Sequence, residues 1–482
     1  MRTAPLLAGA TAAGVAAGGA ALARRVTRFR PAPAAVPPAD AAGLDADAAA
    51  ARLGELIRIP TVSARDRALV DAGAFARFRE RLAELYPHTH RVLEREVLGH
   101  GALLYRWRSG TDRPPLVLMA HHDVVPVTGQ AWTRDPFSGL VEDGWVHGRG
   151  AVDDKGSLVA VLEAVESLAA AGHTPARDVY VFSGDDEEVA GVGAQLAVQA
   201  FRDRGITPWA VVDEGGAVVS GVFPGVPGPI AVVGLAEKGL LGVDLVATDP
   251  GGHASSPTPG GAPARLARAV VRLDAAPFPA RLHDVVLGMV DAAGRHAPGA
   301  YRALFANARA LRPVLATALA RASREANALV RTTVAVTELE GSSAQNVLAT
   351  RARAHLDIRI ALGETVRSTV DRLRRVIADP TVEVRVTGGS DPSPVSRTDT
   401  EAYAALGAAV RAVYPEAVVA PYLMVQASDA RHFAQISDAV YRFMPFDLSR
   451  GELDALHAAD ERISVAALHR GAVFFRHLIR SL

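Results

Sequence analysis

LVLMAHHDVVPV, residues 116–127, runs through apolar residues and then stops on two histidines and an aspartate. Leu116 to Ala120 shows no polar alternation, the pattern of a strand covered on both faces, as in a parallel sheet. Sheets of that kind bind ligands beyond the carboxyl ends of their strands. His121, His122 and Asp123 stand at such an end.

Similar apolar runs recur at 178–184, 209–216 and 439–445, with helical stretches between them such as 156–171 and 189–203. Strands alternating with helices predict an α/β domain built on a mostly parallel sheet. Asp185 to Glu188 and Asp213 fall at the ends of two further strands, so polar groups gather at one edge. The middle of the chain changes pattern. Strands near 239–249, 332–341, 351–360 and 381–388, with helices near 262–274 and 365–378, spell the β-α-β-β-α-β order of a ferredoxin-like α+β unit. The expected organisation is a larger domain in two parts, 44–236 and 391–482, with this smaller unit, the lid, inserted at 237–390. Residues 279–330 form an extra, helical segment that interrupts the lid.

At 482 residues the chain exceeds one ordinary core. Hydrophobic residues are 49% and charged residues 22%, a globular composition. Lys plus Arg and Asp plus Glu each number 52, so no nucleic-acid footprint is expected. The absence of cysteine excludes disulfides, thiolate nucleophiles and zinc–thiolate sites. Arg2 and the Ala/Gly-rich stretch 4–23 predict an export signal or a membrane anchor, with a disordered tail as the plain alternative. The Pro/Ala segment 31–42 then reads as a linker, and residues 1–43 lie outside the expected fold.

His121, Asp123, Asp153, Glu187, Glu188 and Asp213, with His457 late in the chain, form a sulfur-free set of imidazoles and carboxylates. That set suits zinc, with manganese or cobalt as alternatives. Converging acidic groups repel one another in a low-dielectric cleft unless a cation joins them. Two cations about 3.5–4 Å apart need a bridging carboxylate and activate water between them.

The segments MAHHDVVPV, GRGAVDDKGSL, SGDDEEVAGVGA, VVDEGG, GGHASSP and LHAADERISV occur in this order. Together they resemble the co-catalytic zinc exopeptidases and amidohydrolases of metallopeptidase family M20, most of all carboxypeptidase S and the secreted N-acyl-amino-acid hydrolases. The resemblance runs from about residue 48 to the C-terminus. It implies a zinc-exopeptidase-like fold and two zinc ions. Asp153 would bridge them, with His121 and Asp213 on one and Glu188 and His457 on the other. It further implies Asp123 as the residue orienting His121, Glu187 as general base, and a cis peptide at Asp153–Asp154. His253 would contact the substrate carbonyl, and Asn346 and Arg359 would grip a terminal carboxylate. For Arg359 a salt bridge to Asp357 is the structural alternative. Arg431 and His432 are pocket candidates, in a stretch, VQASDARHF, that departs from the small residues usual before it in relatives.

The expected activity is cleavage of an amide bond beside a free carboxylate, of carboxypeptidase or dipeptidase type. An N-acyl-amino-acid deacylase is the alternative, and a catalytically silent binding protein on the same fold is the alternative from another class. Expected partners are a peptide or an N-acyl amino acid. In many relatives a histidine comes from a second subunit, so homodimer and monomer both stay open. The segment 279–330 is a candidate to replace that subunit within one chain.

Overall fold

The computed structural model describes residues 24–31 and 36–482, except 222, 224, 258 and 343. The chain lays down β1 (Glu94–Leu98), β2 (Ala102–Trp107), β3 (Leu116–His121), β4 (Val179–Gly184), β5 (Ala210–Val219) and β6 (Ile230–Glu237). It then leaves that sheet for β7 (Gly239–Thr248), β8 (Thr333–Glu340), β9 (Arg351–Ile360) and β10 (Val382–Ser390), and returns with β11 (Val418–Met424) and β12 (Val440–Asp447). The large sheet has eight strands in the order β1-β2-β4-β3-β5-β12-β6-β11. Its centre is parallel: β3 pairs in parallel with β4 and β5, and β5 with β12.

Every residue of β3 is buried, and the two faces go to different cores. Leu116, Leu118 and Ala120 join the core that holds helices Lys155–Ala170 and Val465–Arg480. Val117 and Met119 join the core holding helix Gly193–Asp203 and Phe433. An uninterrupted apolar run is what a strand between two helical layers requires, and each such Leu or Val adds about 1.5–3 kcal/mol of burial.

The second sheet has the order β8-β9-β7-β10, with β9 antiparallel to β7 and β8, and β7 antiparallel to β10. Along β9, Ala352, Ala354, Leu356, Ile358 and Ile360 are buried in the lid core with helices Ala262–Ala275 and Val366–Ile377. Arg351, Arg353, His355, Asp357 and Arg359 alternate onto the other face. The mixed α/β architecture with an inserted ferredoxin-like lid is thus present.

Two segments behave differently from their reading in sequence. The excursion 279–330 is helical, but it does not pack as part of the lid. Helix Asp284–Gly294 buries Val285, Val286, Leu287, Met289 and Val290 in the large core, against edge strand β11. The described part of the segment before 43 is docked, not free. The Ala39 N–H donates to the Ala412 carbonyl at 2.9 Å. Asp40 pairs with Arg476 and Arg480, and Phe29 is buried beneath Arg295. The expected signal or anchor at residues 4–23 lies outside the described residues, among which no helix is long and apolar enough to cross a membrane.

Candidate metal centre

His121 ends β3, and a local contact sets its ring. Nδ1 lies 2.9 Å from the Asp123 carbonyl oxygen, which assigns the proton to Nδ1 and leaves Nε2 with a free lone pair. Nε2 lies 3.0 Å from Asp153 Oδ1 and 3.8 Å from Glu214 Oε1. The other oxygen of Asp153 is 3.0 Å from His457 Nε2, which is 3.1 Å from Glu188 Oε2. One carboxylate therefore offers an oxygen to each of two histidines, and each histidine has a second carboxylate beside it. The groupings His121–Asp153–Glu214 and Asp153–Glu188–His457 share Asp153.

Asp213 is in neither grouping, which corrects the expectation that it joins His121. Its Oδ2 accepts the Ala430 N–H at 2.8 Å, so it ties down the loop at 428–431. Neighbouring residues on a strand point to opposite sides, and here the strand is also irregular. The β5–β12 register shifts between the pairs Asp213–Arg442 and Gly216–Phe443. Gly215 has φ +131°, and a Cβ on Gly216 would lie 1.8 Å from the Val232 carbonyl oxygen. This bulge turns Glu214 toward His121. The sequence signal was the Gly-Gly pair directly after Glu214.

Asp153 lies in the loop before helix Lys155–Ala170, with a cis peptide to Asp154. That loop is held by Glu461, a residue the sequence reading passed over. Its carboxylate accepts the N–H groups of Gly150, Val152 and Asp153 at 3.1, 2.8 and 3.1 Å. Arg149 donates to it at 2.6 Å, and both side chains are fully buried. Its place in LHAADERISV, four residues after His457, was the available signal.

The charges fit a cation at each grouping. Burial, then neighbouring carboxylates, pushes Glu187 and Glu214 well above the ordinary carboxylate range, although His121 opposes the shift. Hydrogen bonds to Asp153 and Glu188 raise His457 to about 10. Glu188 Oε1 is buried without a hydrogen-bond partner. Such a cluster demands positive charge between its oxygens, and imidazole plus carboxylate is a zinc-type donor set.

Glu187 and Glu188 follow β4 in a short 3₁₀ turn. Asp123 Oδ1 accepts the Glu187 N–H at 3.1 Å and Oδ2 accepts the Glu188 N–H at 3.1 Å. His122 points away from the cluster. It is buried, stacks on Phe78 at 4.9 Å and meets Ser183 Oγ at 2.8 Å.

Residues 117–481 match Peptidase family M20/M25/M40. The chain belongs to that family. It is 34% identical over 414 residues to a probable carboxypeptidase S-like 2 of Dictyostelium discoideum, covering 84% of this chain and 79% of the relative. It is also 34% identical over 432 residues to the N-fatty-acyl-amino acid synthase/hydrolase PM20D1 of Xenopus tropicalis, covering 88% and 84%. In fold it is similar to the M20 family metallo-carboxypeptidase Sso-CP2 of Sulfolobus solfataricus. That likeness has a TM-score of 0.68 at 18% identity, over 90% of this chain and 98% of the other. Human carnosine dipeptidase 1 follows at TM-score 0.62 and 18% identity, over 90% and 95%. The M20 chain described here is accordingly a metal-dependent hydrolase.

The candidate lid residues of this M20 chain belong to neither of the two groupings. His253 is exposed in a short strand paired with Val347. The Ser255 N–H donates to its Nδ1 at 3.1 Å, which puts the ring proton on Nε2. The Ala254 N–H donates to the Asn346 carbonyl at 3.1 Å, so His253 and Asn346 share one corner of the lid. Arg359 does make the ion pair that its strand spacing allows, with Nε 3.1 Å from Asp357 Oδ1. Outside the lid, Arg431 on the short helix Ala430–Phe433 donates to Ser390 Oγ at 2.6 Å, tying that helix to the end of β10. It is half-buried, and burial draws its pKa down against the pull of the Glu237 carboxylate. His432 is half-buried beside it, its pKa lowered by burial.

Proposed function

We propose that this hydrolase uses two zinc ions to cleave an amide bond beside a free carboxylate, as a carboxypeptidase or dipeptidase. The observation that carries this is the position of Asp153, with one oxygen 3.0 Å from His121 and the other 3.0 Å from His457. His121, Asp153 and Glu214 would hold one ion, and Asp153, Glu188 and His457 the other. When bound, such a pair polarises the scissile carbonyl and makes water acidic enough to attack near neutral pH. Manganese or cobalt fits the same donors.

Glu187 is the general base. It takes a proton from the attacking water and returns it to the leaving nitrogen. Asp123 holds the backbone of Glu187 and, through its carbonyl, the ring of His121. The Nε2–H of His253 is the donor for the carbonyl oxygen as negative charge builds there. The Arg359 fork and Asn346 take the substrate carboxylate, which requires Arg359 to exchange Asp357 for substrate as the lid closes.

A second reading, an N-acyl-amino-acid deacylase, is favoured by the likeness to PM20D1. Both substrate types present the same carboxylate. A panel of dipeptides, C-terminally free and amidated peptides, and N-acyl amino acids, run with zinc, manganese and cobalt, tests both. Turnover should require a free carboxylate and be abolished in Glu187→Gln at unchanged metal content. Equal cleavage of amidated peptides would refute carboxylate recognition. The Ala/Gly-rich start supports export or anchoring, which fractionation of the full chain tests.

A further inference from the structure

A cavity of about 160 Å³ lies between the lid helices and the end of the excursion 279–330, and none of its lining residues belongs to the metal centre. It has room for on the order of ten water-sized groups, the size of a leucine zwitterion. Two arginines line it. Arg372 sits over the Phe278 ring at 4.8 Å and donates to the Ala276 and Pro277 carbonyls at 3.3 and 3.0 Å. The Nε atoms of Arg372 and Arg331 are both buried without a hydrogen-bond partner. Each of these half-buried arginines offers a guanidinium fork that matches a carboxylate.

Beside the arginines the lining includes one acidic residue, Asp274, and an apolar wall of Phe278, Leu373 and Val376. Anion, cation and hydrophobe are the three chemical groups of one ligand class. We infer that this cavity binds a free α-amino acid with an apolar side chain. Its carboxylate meets Arg331 and Arg372, its ammonium meets Asp274, and its side chain covers the apolar wall.

The cavity also touches the crossing between the two sheets. Lys238, between β6 and β7, donates its Nζ to the Arg331 carbonyl at 2.9 Å, the Ala328 carbonyl at 3.1 Å and Thr333 Oγ1 at 3.4 Å. A ligand held by Arg331 therefore bears on the segment that anchors the lid. That the ligand is also a reaction product rests on the function proposed above; the binding itself does not.

Hydrogen exchange of the full-length, metal-loaded protein with L-leucine tests this. Leucine should protect the backbone of 327–334 and 272–278 saturably, while N-acetyl-leucinamide, which lacks both charges, should not. Arg331→Gln should weaken that protection at least tenfold. Should Arg331→Gln prove misfolded by circular dichroism, Asp274→Asn, an exposed position, should still reduce the preference for leucine over N-acetyl-leucine. Absence of protection at these segments in the wild type overturns the inference, as does protection unchanged in the folded variants. A chain that cleaves no amide but shows this protection loses only the proposed function; one that cleaves amides without it loses only this site.

Discussion

Asp123 holds Glu187 in place from the end of a neighbouring strand: its Oδ1 accepts the Glu187 backbone N–H at 3.1 Å, while Oδ2 accepts the next amide, of Glu188. One carboxylate thus positions both the proposed base and a proposed metal ligand. An Asn at 123 presents an NH₂ to one of those amides and loses half the clamp. Asp123→Asn should reduce both metal affinity and turnover by about 10–100-fold, checked by metal titration and initial rates. Unchanged metal affinity would remove the positioning role.

Glu214 and Asp213 are adjacent but should separate cleanly. Glu214→Gln should weaken one metal equivalent, seen by elemental analysis after dialysis against a weak chelator. Asp213→Asn should keep both equivalents and instead loosen the 428–431 loop, read as a lower melting temperature. A loss of metal in Asp213→Asn alone would reverse the assignment.

Glu461 and Arg149 form a fully buried pair beneath the Asp153 loop. Removing one partner of such a pair leaves an uncompensated charge and costs about 3–5 kcal/mol. Glu461→Ala should show that loss in urea unfolding and should shed metal too, because three backbone amides around Asp153 lose their acceptor.

His122 sets an acid limit on stability. Burial lowers its pKa to about 3, against about 6.5 in an unfolded chain. Between those values the unfolded chain binds a proton that the folded one does not, so stability falls as pH drops through 6.5 toward 3. The slope from this one group is at most about 1.4 kcal/mol per pH unit. His122→Phe, which keeps a flat ring against Phe78, should flatten that limb in chemical denaturation between pH 4.5 and 7. An unchanged slope would assign the acid sensitivity elsewhere.

Much of the fold was legible because it is written in periods. The apolar run at 116–120 needed two covering layers, and the alternation along 351–360 needed one. Strand β1 was harder to see: it is almost wholly exposed, with no apolar face to betray it. The excursion 279–330 was legible as helix, yet its partner was not, because an amphipathic helix does not name the surface it covers.

The sequence by itself determined the layered α/β plan and the inserted lid, which periodicity carries. Its ordered motifs, through their resemblance to the family, also singled out His121, Asp153, Glu188 and His457, which the fold brings together. Only the tertiary structure placed Glu214, and not Asp213, beside His121, revealed Glu461 beneath the Asp153 loop, and sent helix Asp284–Gly294 to the large core. The direction of a side chain at a bulge, and the partner of a buried charge or helix face, depend on register with segments distant in the chain.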